Sequence, residues 1–131
     1  MNPGEQLSED YVGKITELLG RIRLEEAENI SVAAGILAAQ VAKDELVHIY
    51  GPGGHSNLAS QEVFFRAGGL MHVSAILDEG TLLSGGALRS MAMERTPGYG
   101  RIVIGDAGLG PGDVLILVNA YGINSALIDA A

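Results

Sequence analysis

The chain has no cysteine and no tryptophan among its 131 residues, and its aromatic residues are four tyrosines and two phenylalanines. Without thiols it can form neither a disulfide scaffold nor a thiolate zinc site. Its 47% hydrophobic content must therefore build an aliphatic, alanine-rich core. No apolar run reaches the roughly 20 residues of a membrane span, and no secretory signal pattern opens the chain. We expect a cytoplasmic protein with no membrane partner.

Positive charge is also scarce, with eight Lys and Arg against sixteen Asp and Glu and a formal net charge of −8. An acidic chain repels the phosphate backbone, so nucleic acid is excluded as a partner. The three histidines show no HExxH-like spacing. The sequence therefore predicts no cofactor and no metal site, and the remaining metal alternative is a pair formed by His55 and Glu62.

The N-terminal third has apolar residues at spacings of three and four, which is typical of helix. The pattern predicts two helices between about Ser8 and Lys43, with a break in the acidic segment 25–29. Ser8, followed by two acidic residues, is the predicted N-cap. The apolar faces of these helices serve either packing or helix-to-helix dimerisation.

From Leu46 onward, short apolar segments alternate with helical ones. This alternation is typical of βαβ units and predicts a parallel sheet with right-handed crossovers. The predicted strands are 46–50, 70–77, a brief 102–104, and 114–118. The predicted helices are 57–67, 87–94, and a last one that starts at Ile123.

The first predicted strand ends in the segment Gly51-Pro52-Gly53-Gly54-His55-Ser56. Ligands of parallel sheets bind beyond the carboxyl ends of the strands, and glycines let the backbone approach a ligand closely. The following helix directs its unpaired N–H groups to the same place. Ser56 adds a hydroxyl and His55 an imidazole. The pattern indicates either a ligand loop or a tight strand-to-helix turn.

A comparable loop, 119–125, follows the last predicted strand. In it, Asn124 or Ser125 could cap the next helix or hold a hydroxyl or phosphate oxygen.

Two acidic residues on helices are further candidates. Glu62 lies six residues after Ser56 and could abstract a proton from a bound sugar, or be a solvated charge with Arg66 as its i,i+4 partner. Glu94, next to Arg95, could form an ion pair or the edge of a site.

The segments 51–56 and 62–69 together resemble the first signature of sugar isomerase (SIS) domains. The resemblance is closest to phosphoheptose-isomerase-like SIS proteins and covers about residues 29–131. Three later motifs match the family pattern in the same order along the chain. The first comprises 86–90, 94–95 and 98–99, the second is 111–114, and the third is 122–124.

The resemblance implies a three-layer α/β/α domain with a five-stranded parallel sheet in flavodoxin-like order. SIS enzymes interconvert aldose and ketose phosphates or act on amino-sugar phosphates. Glu62 matches the carboxylate base that moves a proton through an enediol, and His55 is the second predicted catalytic residue. The predicted substrate-binding residues are Gly51, Gly53, Gly54, Ser56, Arg66, Glu94, Asn119, Gly122, Asn124 and Ser125. Some related enzymes bind zinc through His and Glu ligands, and of these positions only Glu62 has a clear match in this chain. The resemblance therefore implies no metal site here.

The sequence departs from the SIS pattern in two places. Asn119-Ala120-Tyr121-Gly122 stands where the family has a serine-rich phosphate loop, and the chain ends at Ala131 before the sheet is complete. We therefore expect one incomplete domain over 1–131, with N-terminal helices in 1–45 and the front half of the sheet in 46–131. A second subunit, or else another copy of the chain, is expected to supply the back half; truncation of a longer chain is the third explanation.

The function expected from these features is that of a sugar-phosphate isomerase subunit. The alternatives are a subunit that binds a sugar phosphate without turnover and a purely structural one.

Overall fold

A computed structural model describes residues 2–131 of the protein. The chain divides into two compact units, and the boundary between them falls between Ala39 and Gln40. The first unit consists of α1 (Pro3–Glu25) and most of α2 (Ala27–Ala42). The predicted break between two helices is therefore confirmed. The predicted N-cap at Ser8 is wrong, because the helix begins earlier. Asn2 and Glu5 form a capping box, and proline at the first helical position suits a helix start.

The second unit is built around a three-stranded parallel sheet in the order β2-β1-β3. The strands are β1 (Val47–Tyr50), β2 (Val73–Ile76) and β3 (Val114–Leu117). In the register, Val47 of the central strand lies opposite Val73 and Val114. The helices are α3 (Ser56–Val63), α4 (Ala87–Glu94), α5 (Tyr99–Asp106) and α6 (Ser125–Ala130), with a 3-10 turn at Leu83–Gly85.

Helices flank this open sheet, so the predicted α/β class with parallel strands is confirmed. The strand order is that of the first three strands of a flavodoxin-like sheet. The apolar centre lies on the middle strand, where Val47, Ile49 and Tyr50 are buried, with Val103 of α5 and Ala126 of α6. The edge strands β2 and β3 are half-buried along their length. Within residues 2–131, no helix is long and apolar enough to cross a membrane.

Two predicted elements differ in the structure. Residues 102–104 are not a strand but the middle of α5, which starts after a left-handed Gly98 and buries Gly100 and Val103 on one face. The helix predicted over 57–67 ends at Val63, because Phe64 is extended and Phe65 takes a left-handed conformation with φ 47°. A non-glycine residue in that region stops a helix.

Candidate functional site

The loop Gly51–Ser56 lies at the carboxyl end of the central strand β1, directly before α3. Gly51, Pro52 and Gly53 are buried, Gly54 and Ser56 are half-buried, and His55 is exposed. Among the hydrogen bonds of the described chain, none uses the backbone N–H groups of residues 54, 55 and 56. These three successive N–H groups, called the cradle below, lie at the start of a helix, where unpaired N–H groups carry partial positive charge and suit an anion.

Asn119 joins this loop to the loop after β3. Its side-chain Nδ2 donates to the carbonyl of Pro52 and to the hydroxyl of Ser56, both at 3.3 Å. Its Oδ1 accepts from the backbone N–H groups of Tyr121, at 3.0 Å, and Gly122, at 2.8 Å. Because β3 pairs with β1, the loops at their carboxyl ends are neighbours. One asparagine therefore fixes the second loop against the first.

The carboxylate of Glu94 lies beside the same loop. Gly53 has φ 136°, and a Cβ on it would lie 2.6 Å from Glu94 Oε2 and 3.7 Å from Ser56 Oγ. This φ is strained for any residue but glycine, and a Cβ here would also force the Glu94 carboxylate to move. Glu94 is the last residue of α4, so that helix delivers a negative charge to the edge of the cradle.

Glu62 lies in the last turn of α3, and Arg66 lies just beyond the end of that helix. Their side chains form an ion pair, as the i,i+4 spacing predicts, and are 71% and 54% exposed. Arg66 also donates to the carbonyl of Glu62 at 3.4 Å. No ion pair or hydrogen bond of the described residues links either side chain to the loop Gly51–Ser56. An exposed pair of this kind adds little stability and leaves the carboxylate accessible.

Asn124 and Ser125 lie where α6 begins. Asn124 occupies the N-cap position, but its side chain makes no capping hydrogen bond. Its backbone carbonyl accepts the N–H groups of Leu127 and Ile128, both at 3.1 Å. Both residues are half-buried, so their polar side chains remain available beside the loop 119–122.

A polar network beneath the site escaped the sequence analysis. Asp78, just after β2, accepts from the Tyr99 hydroxyl at 2.7 Å and from the Thr81 hydroxyl at 2.9 Å. It also accepts from the backbone N–H groups of Gly80 and Thr81. Asn57, fully buried in the first turn of α3, donates to Thr81 Oγ1 at 3.3 Å. The network thus ties α3, and with it the loop, to the end of β2 and to α5.

Two tyrosine phenols border this network. Burial raises the pKa of Tyr50, and the negative charge of Asp78 adds to that rise. Burial also raises the pKa of Tyr99 to about 12, and the hydrogen bond and charge of Asp78 add to the effect while Arg89 opposes it. Both phenols therefore lose their protons at a higher pH in the folded chain than an ordinary tyrosine does.

Replacing Tyr99 with phenylalanine is expected to flatten the alkaline decline of stability. The pKa of Tyr99 in the folded chain, about 12, exceeds the ordinary value of 10.0. The contribution of Tyr99 to the free energy of unfolding is therefore complete below pH 10 and is lost as the pH rises towards 12. Urea unfolding from neutral pH to pH 12 measures this decline. Tyr121→Phe, at an 82% exposed position, is the control. Equal alkaline slopes for the native chain and Tyr99→Phe would contradict the expectation.

Together these features define a parallel α/β domain whose polar loops converge at the carboxyl ends of neighbouring strands. The SIS domain model matches residues 10–131. The chain therefore belongs to the SIS domain family.

The chain is similar to UPF0309 proteins of several bacteria. It is 34% identical to one from Listeria monocytogenes over 122 residues, which cover 93% of this chain and 49% of the relative. A Listeria innocua protein is also 34% identical, and the match covers 49% of that relative. A Brucella ovis protein is 33% identical over 126 residues, or 96% of this chain and 52% of the relative. The chain thus spans about half the length of the curated relatives it matches.

Proposed function

We propose that the loop Gly51–Ser56 binds the phosphate of a phosphorylated sugar. The observation that carries the proposal is the cradle of unpaired N–H groups at residues 54–56, with the Ser56 hydroxyl beside it. Backbone N–H groups at a helix start bind phosphate through charge-assisted hydrogen bonds. Membership of the SIS family supports a sugar phosphate as the ligand class.

The orientation of the sugar follows from the charges around the loop. The Glu94 carboxylate repels the phosphate, which therefore lies on the α3 side of Gly53. Carboxylate oxygens accept hydrogen bonds from hydroxyl groups. Glu94 then receives sugar hydroxyls, and Asn124 and Ser125 are further polar contacts from the adjoining loop. Asn119 and Gly122, which bond to each other, set the conformation of that loop at the substrate.

The reaction proposed for this site is aldose–ketose isomerisation. Such a reaction moves a proton between neighbouring carbons through an enediol and needs a positioned base. The family resemblance assigns this role to Glu62, whose exposed carboxylate is open to a neighbouring chain. His55, exposed at the start of α3, is proposed as the second proton-transferring group, and Arg66 as a contact to the substrate.

A second polypeptide is proposed to complete the site. The relatives are about twice as long as the region they share with this chain. Within the described chain, β3 pairs only with β1, so its other edge can accept a further strand. A partner carrying the second half of a relative fits this edge, and the alternative occupants are another copy of this chain and a continuation of the chain itself.

A subunit that binds without turnover is the second candidate function. The observation in its favour is Asn119, whose amide is fully engaged between the two loops where the family has serines. Tight binding of a sugar phosphate without isomerisation, with every subunit present, would assign this role. Absence of binding in the same assembly would assign a structural role instead.

The binding proposal is tested with Ser56→Ala. A lost hydrogen bond to a charged group costs about 1.5–3 kcal/mol, so the affinity for a sugar phosphate should fall by about 10- to 100-fold. Calorimetric titration with pentose, hexose and heptose phosphates measures this change. Ser31→Ala, at an exposed position in α2, is the control and should bind as the native chain does. Unchanged affinity of Ser56→Ala would contradict the proposed phosphate position.

A further inference from the structure

Helix α1 has an apolar stripe that is exposed along its whole length. No residue of this helix is buried. Five large apolar residues, spaced by four, four, three and four positions, lie on one side of it. They are Leu7, Tyr11, Ile15, Leu18 and Ile22, exposed by 70%, 68%, 39%, 39% and 50%. An amphipathic helix gains most of its stability by packing such a face.

The order of the stripe is nearly the same when it is read backwards. If a helix is turned end to end about the point between Lys14 and Ile15, Leu7 takes the place of Ile22, and Tyr11 takes the place of Leu18. Two copies that pack antiparallel, with the two-fold axis at this point and Ile15 beside it, therefore match four of the five apolar residues of the stripe. This is the self-complementarity that a symmetric dimer interface requires.

The charged residues beside the stripe alternate in sign, so that opposite charges meet when two copies pack antiparallel. At about 100° per residue, Asp10, Lys14, Glu17 and Arg21 lie within roughly 60° of one another on the same flank. In the antiparallel pair, Asp10 and Arg21 of the second copy are offset by about 3 Å along the axis, as are Lys14 and Glu17, and their side chains span this offset. A parallel pair would instead bring the acidic N-terminal turns of both copies together, and also the basic C-terminal turns. The charge order thus favours the antiparallel arrangement.

We propose that α1 is a homodimerisation surface, on which α1 of a second copy of this chain packs antiparallel. The existing ion pairs of this helix, Lys14–Glu17 and Arg21–Glu25, are exposed and lie within one helix. They add little stability, and exchanging them for pairs between copies costs correspondingly little. The charges set the orientation of the pair, and the apolar stripe supplies its stability. The inference does not depend on the function proposed above.

The orientation is tested by disulfide trapping, which the cysteine-free chain makes clean. In the full chain, Ile15→Cys places a thiol near the axis and is expected to give a covalent dimer on oxidation. Leu7→Cys is expected to give none with itself, but to cross-link with a separately prepared Ile22→Cys chain. Self-cross-linking of Leu7→Cys as efficient as that of Ile15→Cys would overturn the antiparallel pairing, and failure of both would overturn the interface.

The energetic role of the stripe is tested by sedimentation. Leu18→Glu is expected to weaken dimerisation more than about tenfold, because it places a charge in the apolar contact. Leu24→Glu, on the opposite side of the helix and 74% exposed, is the matched control and should dimerise normally. A monomeric native chain would overturn the proposal, as would equal effects of the two substitutions.

A charge exchange adds a test in which folding is little affected. Asp10→Arg and Arg21→Asp are each expected to weaken the dimer, and the double variant is expected to restore it. Circular dichroism of every variant checks that the helix content is unchanged. Absence of rescue in a well-folded double variant would overturn the proposed pairing of Asp10 with Arg21.

Discussion

Replacing Glu62 with glutamine is expected to lower the turnover of sugar-phosphate isomerisation by about 10²- to 10⁴-fold. Glutamine keeps the shape of the side chain but cannot accept the proton that passes through the enediol. The Michaelis constant should change little, because the amide occupies the same space and the phosphate is bound elsewhere. Steady-state kinetics of the assembly that carries the activity measure both constants.

Glu94→Gln separates binding from proton transfer. Because Glu94 lies beside Gly53 at the loop, its loss should mainly raise the Michaelis constant. Glu28→Gln, an exposed helical position in α2, is the control for a lost surface charge. Unchanged turnover of Glu62→Gln would remove that residue from proton transfer. If the turnover loss fell on Glu94→Gln instead, the base would be the carboxylate at the loop.

Gly100→Ala is expected to lower the free energy of unfolding by about 2–3 kcal/mol. Gly100 is buried where α5 meets α6, and a Cβ there would collide with the carbonyl of Ala126 and lie 2.9 Å from the Ala130 nitrogen. These atoms are backbone and cannot rotate away, so the two helices must separate. Their separation would also strain the hydrogen bond from the Gly98 N–H to Asp129, now 2.5 Å.

The matched control for this substitution lies in the same helix. Around Gly105 there is open space for a Cβ, so Gly105→Ala should raise stability through helix propensity, by about 0.5–1 kcal/mol. Urea unfolding of the two variants gives the comparison. Similar changes in both would show that α5 and α6 do not approach as closely as described.

The sequence predicted those elements whose boundaries are marked by local chemistry. Helix α4 spans the predicted residues 87–94, because Gly86 precedes it with φ 107° and no competing pattern surrounds it. The break near Glu26 and the central strand β1 were likewise visible as a change in apolar spacing. In each case the signal lies within a few residues of the boundary.

The errors arose where conformation or packing overrides the residue pattern. Ile102, Val103 and Ile104 have high strand propensity, but the burial of Val103 against neighbouring helices makes them helical. The end of α3 depends on the left-handed conformation of Phe65, which no propensity indicates. The start of α1 was misplaced because a favourable cap at Asn2 competed with the weaker one at Ser8.

The candidate site was partly predictable for a topological reason. Parallel strands bring their carboxyl ends to one edge of the sheet, so the loops after β1 and β3, both predicted as ligand loops, lie at the same edge. The bond between Asn119 and Ser56, 63 residues apart, is a tertiary contact without a local pattern. The same holds for Asp78 and Tyr99, although the turn Asp78-Glu79-Gly80-Thr81 had a composition that could have indicated it.

Binding of a sugar phosphate at the loop Gly51–Ser56 is tested most directly by nuclear magnetic resonance titration of the isotope-labelled chain. The amide signals of Gly54, His55 and Ser56 should shift in a saturable way with a sugar phosphate, because their N–H groups lack partners in the described chain. The same sugar without its phosphate should leave them almost unchanged. Absence of shifts at these three amides, or equal shifts with both sugars, would contradict a phosphate site at this loop.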